Sequence, residues 1–198
     1  MTVDEMYTLL DTRLEDAGRT KFVVATRLLA LTNAETKLVP LVDNKYLTEL
    51  ETSDLNKSIS SGYYLLSSLT GDVVTGKKGI TRVKVHGGKW MTPMEPDELQ
   101  DQQNTLYAPS VLNPKYYVYE SRLYVVPTTI PKIDIYYLKN PALNGTQTIL
   151  NVELHDIMVT LAEAELWGTS RDFDRQKAAL ESAIASIAVL NEKAKQGV

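Results

Sequence analysis

The chain has 198 residues, 43% of them hydrophobic and 23% charged, with a net charge of −4 and no cysteine. That is enough apolar material for a sizeable core, yet no apolar run reaches the roughly 18–20 residues that span a bilayer, and a general nucleic-acid binder would ordinarily be basic. The missing cysteines exclude disulfides and thiolate metal sites and fit a reducing compartment.

The opening Met-Thr-Val-Asp-Glu-Met-Tyr is acidic and lacks an apolar stretch, so no secretory leader is expected. Thr2 and Glu5 form a capping-box pattern. Val3, Met6, Leu10, Leu14 and Ala17 then recur at helical spacing up to Gly18. A second helix is expected from Arg19 or Thr20, with Phe22, Ala25, Thr26 and Leu29 on one side, stopping near Leu31 at the turn-forming Asn33. Residues 34–39 either extend it or start a new turn, and Pro40 disfavours helix at Val39. Residues 45–59 place Tyr46, Leu47, Leu50 and Leu55 at mixed spacing and read as weak helix and loop.

Residues 62–69 read as strand or extended chain, followed by a Gly-, Asp- and Lys-rich loop from Thr70 to Gly79. Ile80 to His86 alternates apolar and polar residues, the pattern of a half-buried strand. Gly87-Gly88 is a two-residue hairpin turn, with Lys89 to Thr92 as the return strand. Glu95 to Asn104 reads as a short helix opened by Pro96, with acidic residues in its first turn. Between Pro114 and Pro141 three β-type runs form a tyrosine-heavy meander, broken by Pro127 and Pro131, with Glu120-Ser121 as a hairpin tip lacking the usual Gly. Asn144-Gly145 marks a turn.

Asn151 caps a helix whose stripe is Leu154, Ile157, Met158, Leu161, Ala162 and Leu166, broken at Gly168. Ser170 or Asp172 opens the last helix, with Leu180, Ala183, Ile184, Ile187 and Leu190 inward. The helices at 151–167 and 172–194 should pack antiparallel, because the loop between them is short. The polar tail from Glu192 to Val198 is expected to fray unless a partner orders it. The fold class expected is α+β, mainly α: a helical bundle with a C-terminal antiparallel helix pair and an inserted small antiparallel β-region. It is one domain over 1–198, divided into N-terminal helices (1–59), a β-rich region (60–142) with a short helix near 95–104, and a C-terminal helical hairpin (151–194).

Chemical signals are sparse. Gly71 through Gly76-Lys77-Lys78 approaches a phosphate-cradling loop, which needs Ser or Thr after the Lys and a helix behind it. Lys78 stands where the hydroxyl belongs and a strand follows, so the segment reads as a basic surface loop. His86 and His155 are the two histidines; a metal site would need carboxylates beside them, and neither has a second His at helical spacing. The pairs Asp4/Glu5, Glu15/Asp16, Glu163/Glu165 and Asp172/Asp174 lie on exposed helix faces and read as solvated charge. No Gly-x-Ser-x-Gly elbow occurs. No catalytic residue, cofactor or metal is therefore expected, and the chain reads as a building block rather than an enzyme.

Lys77, Lys78, Arg82, Lys84 and Lys89 gather on one loop and one hairpin, with Arg82 and Lys84 on one sheet face. Such a face meets phosphate, an acidic protein surface, or water alone. Tyr116, Tyr117, Tyr119, Tyr124, Tyr136 and Tyr137 cannot all enter one small core, because strand neighbours alternate sides. Aromatic residues are enriched at interfaces, so the remainder is expected to face a neighbouring subunit.

One order of elements carries a resemblance. Arg82-Val-Lys-Val-His-Gly-Gly-Lys-Trp90 is a strand ending in a turn, and Pro96-Asp-Glu-Leu-Gln follows as a short acidic helix. Pro114-Lys-Tyr-Tyr-Val-Tyr119, Leu123-Tyr-Val-Val-Pro127 and Ile133-Asp-Ile-Tyr-Tyr137 with Pro141 come next. Leu154 to Leu166 and Lys177 to Leu190 close the pattern as Ala/Glu-rich helices. Over about residues 45–190 this layout resembles the head-to-tail adaptor (connector) proteins of tailed bacteriophages. The first 40 residues match less clearly, the Thr70–Gly79 loop looks like an addition, and the Glu120-Ser121 tip departs from the pattern.

The resemblance implies a virion protein of the capsid–tail junction, made in the host cytoplasm. About a dozen copies would close a ring by heterologous contacts beneath the portal protein, above tail or neck proteins. The genomic DNA would pass through without sequence readout, and no membrane would be involved. By the same analogy Glu192, Lys193, Lys195, Gln196 and Val198 would dock on the portal. A different neck or stopper ring protein, a nucleotide-using enzyme acting through the Thr70–Gly79 loop, and a regulatory adaptor of a bacterium are the other readings.

Overall fold

The capping box forms at the N-terminus: Thr2 Oγ1 accepts from the Glu5 amide, and the Glu5 carboxylate accepts from the Thr2 amide. Two otherwise orphaned donors are thereby satisfied at the start of α1 (Val3–Arg13). This computed structural model describes residues 1–16, 18–74, 79–98, 108–141, 143 and 147–196. Val3, Met6, Leu10 and Leu14 are buried, as their spacing requires, while Ala17 lies outside the described residues.

α2 (Val24–Leu38) starts later than its pattern suggested, and residues 34–38 extend it, one of the two alternatives left open, up to the residue before Val39. The start is delayed because Thr20, Lys21 and Phe22 give their amides to the Asp16 carboxylate, wrapping a turn around it. The helix runs through Asn33, whose side chain donates to Glu165 at 2.6 Å; a tertiary contact overrides a weak local preference. The buried face is also rotated. It carries Arg27, Ala30, Leu31, Ala34, Glu35 and Leu38, whereas Leu29, placed on one side with Phe22, is exposed.

Asn151 caps as expected, accepting from the Glu153 amide, but it opens a 3-10 turn, Val152–Leu154, that leads into α3 (His155–Thr169). The predicted stripe is buried. Gly168 does not break the helix; its missing side chain makes room for the Gln176 amide, 2.5 Å from where a Cβ would stand. α4 (Phe173–Gln196) buries Ala179, Ala183, Ile187 and Leu190. Leu180 and Ile184, expected inward, are exposed, and Ala179 and Ala183 take the inner face in their place. The two helices are antiparallel: Glu153 and Asp156 border Val189 and Leu190, and Gly168 and Thr169 border Phe173 and Gln176. The tail expected to fray is helical through Gln196. Asn191 pins it by donating to the Leu41 carbonyl and accepting from the Asp43 amide.

Contacts group the chain into two compact units, residues 1–50 with 141–198, and residues 51–140. The helices above belong to the first. In the second, β1 (Glu51–Ser58) occupies most of the segment read as weak helix and loop and assigned to the N-terminal helices; the helical part is two 3-10 turns, Asn44–Tyr46 and Thr48–Leu50. β2 (Tyr63–Leu65), β3 (Ile80–Val85), β4 (Thr92–Pro93), β5 (Lys115–Tyr119), β6 (Arg122–Val126) and β7 (Lys132–Leu138) follow. They form a three-stranded sheet, β1-β7-β3, and a four-stranded sheet, β2-β6-β5-β4.

The three runs of the expected meander therefore part company. β5 and β6 make a hairpin with Glu120 and Ser121 at its tip, both in the left-handed region (φ 46° and 59°) that a two-residue turn of this kind demands. β7 crosses to the other sheet and becomes its central strand, buried over Ile133, Asp134, Ile135, Tyr137 and Leu138. The return strand after Gly87-Gly88 is reduced to the bridge Lys84↔Trp90, after which Thr92 and Pro93 pair parallel with β5. A 3-10 turn at 96–98 stands where a helix from Glu95 to Asn104 was expected; residues 99–104 and the Asn144-Gly145 turn lie outside the described residues.

Ile133, Ile135, Tyr137 and Val83 from one sheet meet Tyr116, Leu123 and Val125 from the other in a shared core. The class expected, a mainly helical bundle with a small antiparallel insert, is thus incorrect. Two sheets of three and four strands, one containing a parallel pair, build a compact unit of their own. The error has a plain cause: β1, Glu-Thr-Ser-Asp-Leu-Asn-Lys-Ser, carries almost none of the β-branched and aromatic residues that mark strands.

Candidate functional site

The outer face of the four-stranded sheet is aromatic. Register places Tyr117 opposite Tyr124, and Tyr124 opposite Tyr63, so three phenol rings form a row across β5, β6 and β2. Tyr117 and Tyr124 are stacked, with centroids 4.8 Å apart and planes 3° from parallel. Tyr63 lies 5.7 Å from Tyr124, and the Arg122 guanidinium sits 4.8 Å over the Tyr63 ring. Tyr119 extends the row at the hairpin tip and is exposed; its hydrogen bond to Glu120 pushes its phenol upward. Alternation sends the neighbours inward: Tyr116 is buried and burial raises its phenol, and Tyr137 is buried with its oxygen accepting from the Gly71 amide. Of the six tyrosines named from sequence, Tyr116 and Tyr137 belong to the core. Tyr117, Tyr119 and Tyr124 share this face, and Tyr136 lies on the opposite sheet. Tyr63 was missed, although Gly62-Tyr63-Tyr64 carried the same alternating signal.

The outer face of the three-stranded sheet is basic and aromatic together. Arg82 pairs with Tyr136 and Lys84 with Asp134 across β3 and β7, and the bridge from Lys84 brings in Trp90. The Arg82 guanidinium lies 5.3 Å from the Trp90 ring centre and 5.7 Å from that of Tyr136. Lys84 Nζ lies 5.6 Å from Trp90, and the two rings are 5.3 Å apart. Asp134, on the same face, accepts from the Asn56 amide and contacts His86 Nδ1, both at 2.8 Å. Burial alone would raise its carboxyl, but those partners and the nearby Lys84 charge bring it below the ordinary range. Lys89 is exposed beside the turn. Lys77 and Lys78 lie outside the described residues, and the loop that holds them leads into β3, not into a helix.

Other candidates have structural partners. His155 is buried; its Nε2 contacts the Leu150 carbonyl and its Nδ1 the Met1 amino group, and burial lowers its basicity. Asp16, read as solvated charge, is buried. Burial would raise it, but the amides of Phe22, Lys21 and Thr20 and the Thr20 hydroxyl hold it well below the carboxylate range. Arg27, also buried, bridges Asp16 to Asp11. Glu35 is buried with Thr148 donating to Oε1, and burial pushes its carboxyl up. Glu192, Lys193, Lys195 and Gln196 lie on the last turns of α4, with Glu192 and Lys195 ion-paired; Val198 is outside the described residues. A hollow of about 560 Å³ opens beside the Thr70–Gly79 loop, lined by Leu66, Leu69, Val74, Ile80 and Val118. Among the described residues no helix is long and apolar enough to cross a membrane, and no group of three His, Asp or Glu is placed to hold a metal. Compared with family models and with curated proteins, this chain matches none.

Proposed function

We propose that the chain is a structural ring subunit of the capsid–tail junction of a tailed bacteriophage. In this reading it assembles with copies of itself under the portal and extends the DNA channel. The observation that carries it is the aromatic row Tyr63–Tyr124–Tyr117 with Tyr119 beyond it, which lies on the outer side of a sheet whose inner side already fills a core. Tyr pairs a large apolar ring with a polar tip and loses little rotamer freedom on docking, which suits a surface that meets protein. A ring needs one patch to dock on a different patch of the next copy, and the residues around this row offer stacked rings with Arg122 as the charged member.

The test is assembly. Mixed with portal rings, the protein should form closed annular complexes visible by electron microscopy. Tyr119→Ala and Tyr124→Ala should abolish them while leaving the thermal transition of the subunit in place. Unchanged assembly by both variants would sink the reading. The C-terminal segment from Glu192 is assigned to portal docking, and a chain ending at Asn191 that still bound portal rings would remove that assignment.

A further inference from the structure

We propose that the outer face of the β1-β7-β3 sheet is a binding site for single-stranded nucleic acid, with Arg82 and Lys84 taking phosphates and Trp90 and Tyr136 taking bases. Among the described residues neither Arg82 nor Lys84 is in a salt bridge; Lys84 lies across from Asp134, whose carboxyl its charge helps to lower, and both cations stand on the edge strand β3. What holds them is ring surface: both lie within 6 Å of the Trp90 centre, and Arg82 is shared with Tyr136. Their hydrogen-bond donors are therefore positioned but unspent. The carboxylate on this face, Asp134, is hydrogen-bonded to Asn56 and His86, so it offsets the Lys84 charge in part and forms no salt bridge with Arg82. Lys132, two residues earlier on β7, adds an exposed cation on the same side.

The indole is half exposed, at 50%, so much of its surface is open beside fixed positive charge. Strands of unpaired nucleic acid are held by this combination, a cationic track for the backbone and aromatic platforms for bases, often on the outer face of a sheet. Arg82 and Lys84, two residues apart on one strand, are about 7 Å from each other, a reach suited to neighbouring phosphates of an extended strand. An acidic protein surface would engage the cations but leave the open ring surface unmatched. The site is independent of ring assembly and can be tested on the subunit alone, so its failure leaves the ring reading untouched.

The probe is a fluorescently labelled oligo(dT), followed by anisotropy at low salt. Saturable binding is expected, with an affinity that falls linearly on a logarithmic scale as salt rises. Unlabelled oligo(dT) should compete better than duplex of the same length or poly-glutamate. Trp90→Ala and Arg82→Gln should each weaken binding at least ten-fold, whereas Lys115→Ala on the other sheet should not; thermal transitions confirm that the variants fold. Tyr136→Leu gives a second aromatic variant should Trp90→Ala prove unstable. Absence of saturable binding, equal competition by poly-glutamate, or wild-type affinity in the aromatic variants would each overturn the proposal.

Discussion

Arg27 is fully buried and spends its guanidinium on the Phe22 carbonyl, the Asp16 carbonyl and carboxylate, and the Asp11 carboxylate. Removing one member of such a group strands the rest without water. Arg27→Ala should cost about 3–5 kcal/mol, read as a lowered urea midpoint. Two carboxyls in this unit respond to pH in opposite directions. Asp16 is held below its ordinary range in the fold, so the unfolded chain binds its proton first as pH falls. Its contribution is complete above the ordinary Asp range and is lost as acid drives protonation of the folded form. Asp16→Asn should remove that acid-sensitive component and lower the thermal midpoint at neutral pH. Glu35 is the reverse case: burial raises it, so the folded chain keeps its proton longer as pH rises. Its contribution is present below the ordinary Glu range and is lost as pH climbs through the raised folded value. Denaturation of Glu35→Gln between pH 4 and 8 should show a flatter stability profile than wild type across that rise.

At the scale of elements, the β5–β6 tip is strained by composition. Glu120 and Ser121 both occupy left-handed backbone, where a side chain costs roughly 1–2 kcal/mol per residue. Ser121→Gly should therefore stabilise the protein by about 0.5–1 kcal/mol after the added freedom of the unfolded glycine is counted, measured as a raised denaturant midpoint with unchanged slope. β7 supplies the contrasting case. Ile135 is fully buried at the centre of the sandwich, so Ile135→Ala should cost about 2–5 kcal/mol. The chain announced β7 as a strand but not as a central one. Its inward set, Ile133, Ile135 and Tyr137, was visible as alternation. The burial of Asp134 and Leu138 on the other side came from neighbours β1 and β3, which lie far away in sequence.

At the scale of the whole molecule, residues 51–140 form a unit that enters and leaves through one ladder. Glu51, its first strand residue, pairs with Leu138 near its end. Ends held side by side are the usual condition for an inserted domain that folds alone. A chain of residues 51–140 should show a cooperative thermal transition and a strand-type circular dichroism spectrum; a non-cooperative melt would show that it borrows its stability from the helical unit.

Local hydrogen bonding and strand alternation were readable along the chain. Thr2 with Glu5, the cap at Asn151, the Glu120-Ser121 tip and the division of the tyrosines between two sides all depend on residues within a few positions of each other. Pairing and facing were not readable. Which strand neighbours β7, why Leu29 and Ile184 point outward, and how Arg27 comes to be buried with Asp16 are set by contacts across large sequence separations. Period alone tells that a strand has two faces and a helix has a stripe; the surfaces that close over them choose which one is inside. For the same reason the cluster of Arg82, Lys84, Trp90 and Tyr136 emerged only when β3 and β7 were laid side by side.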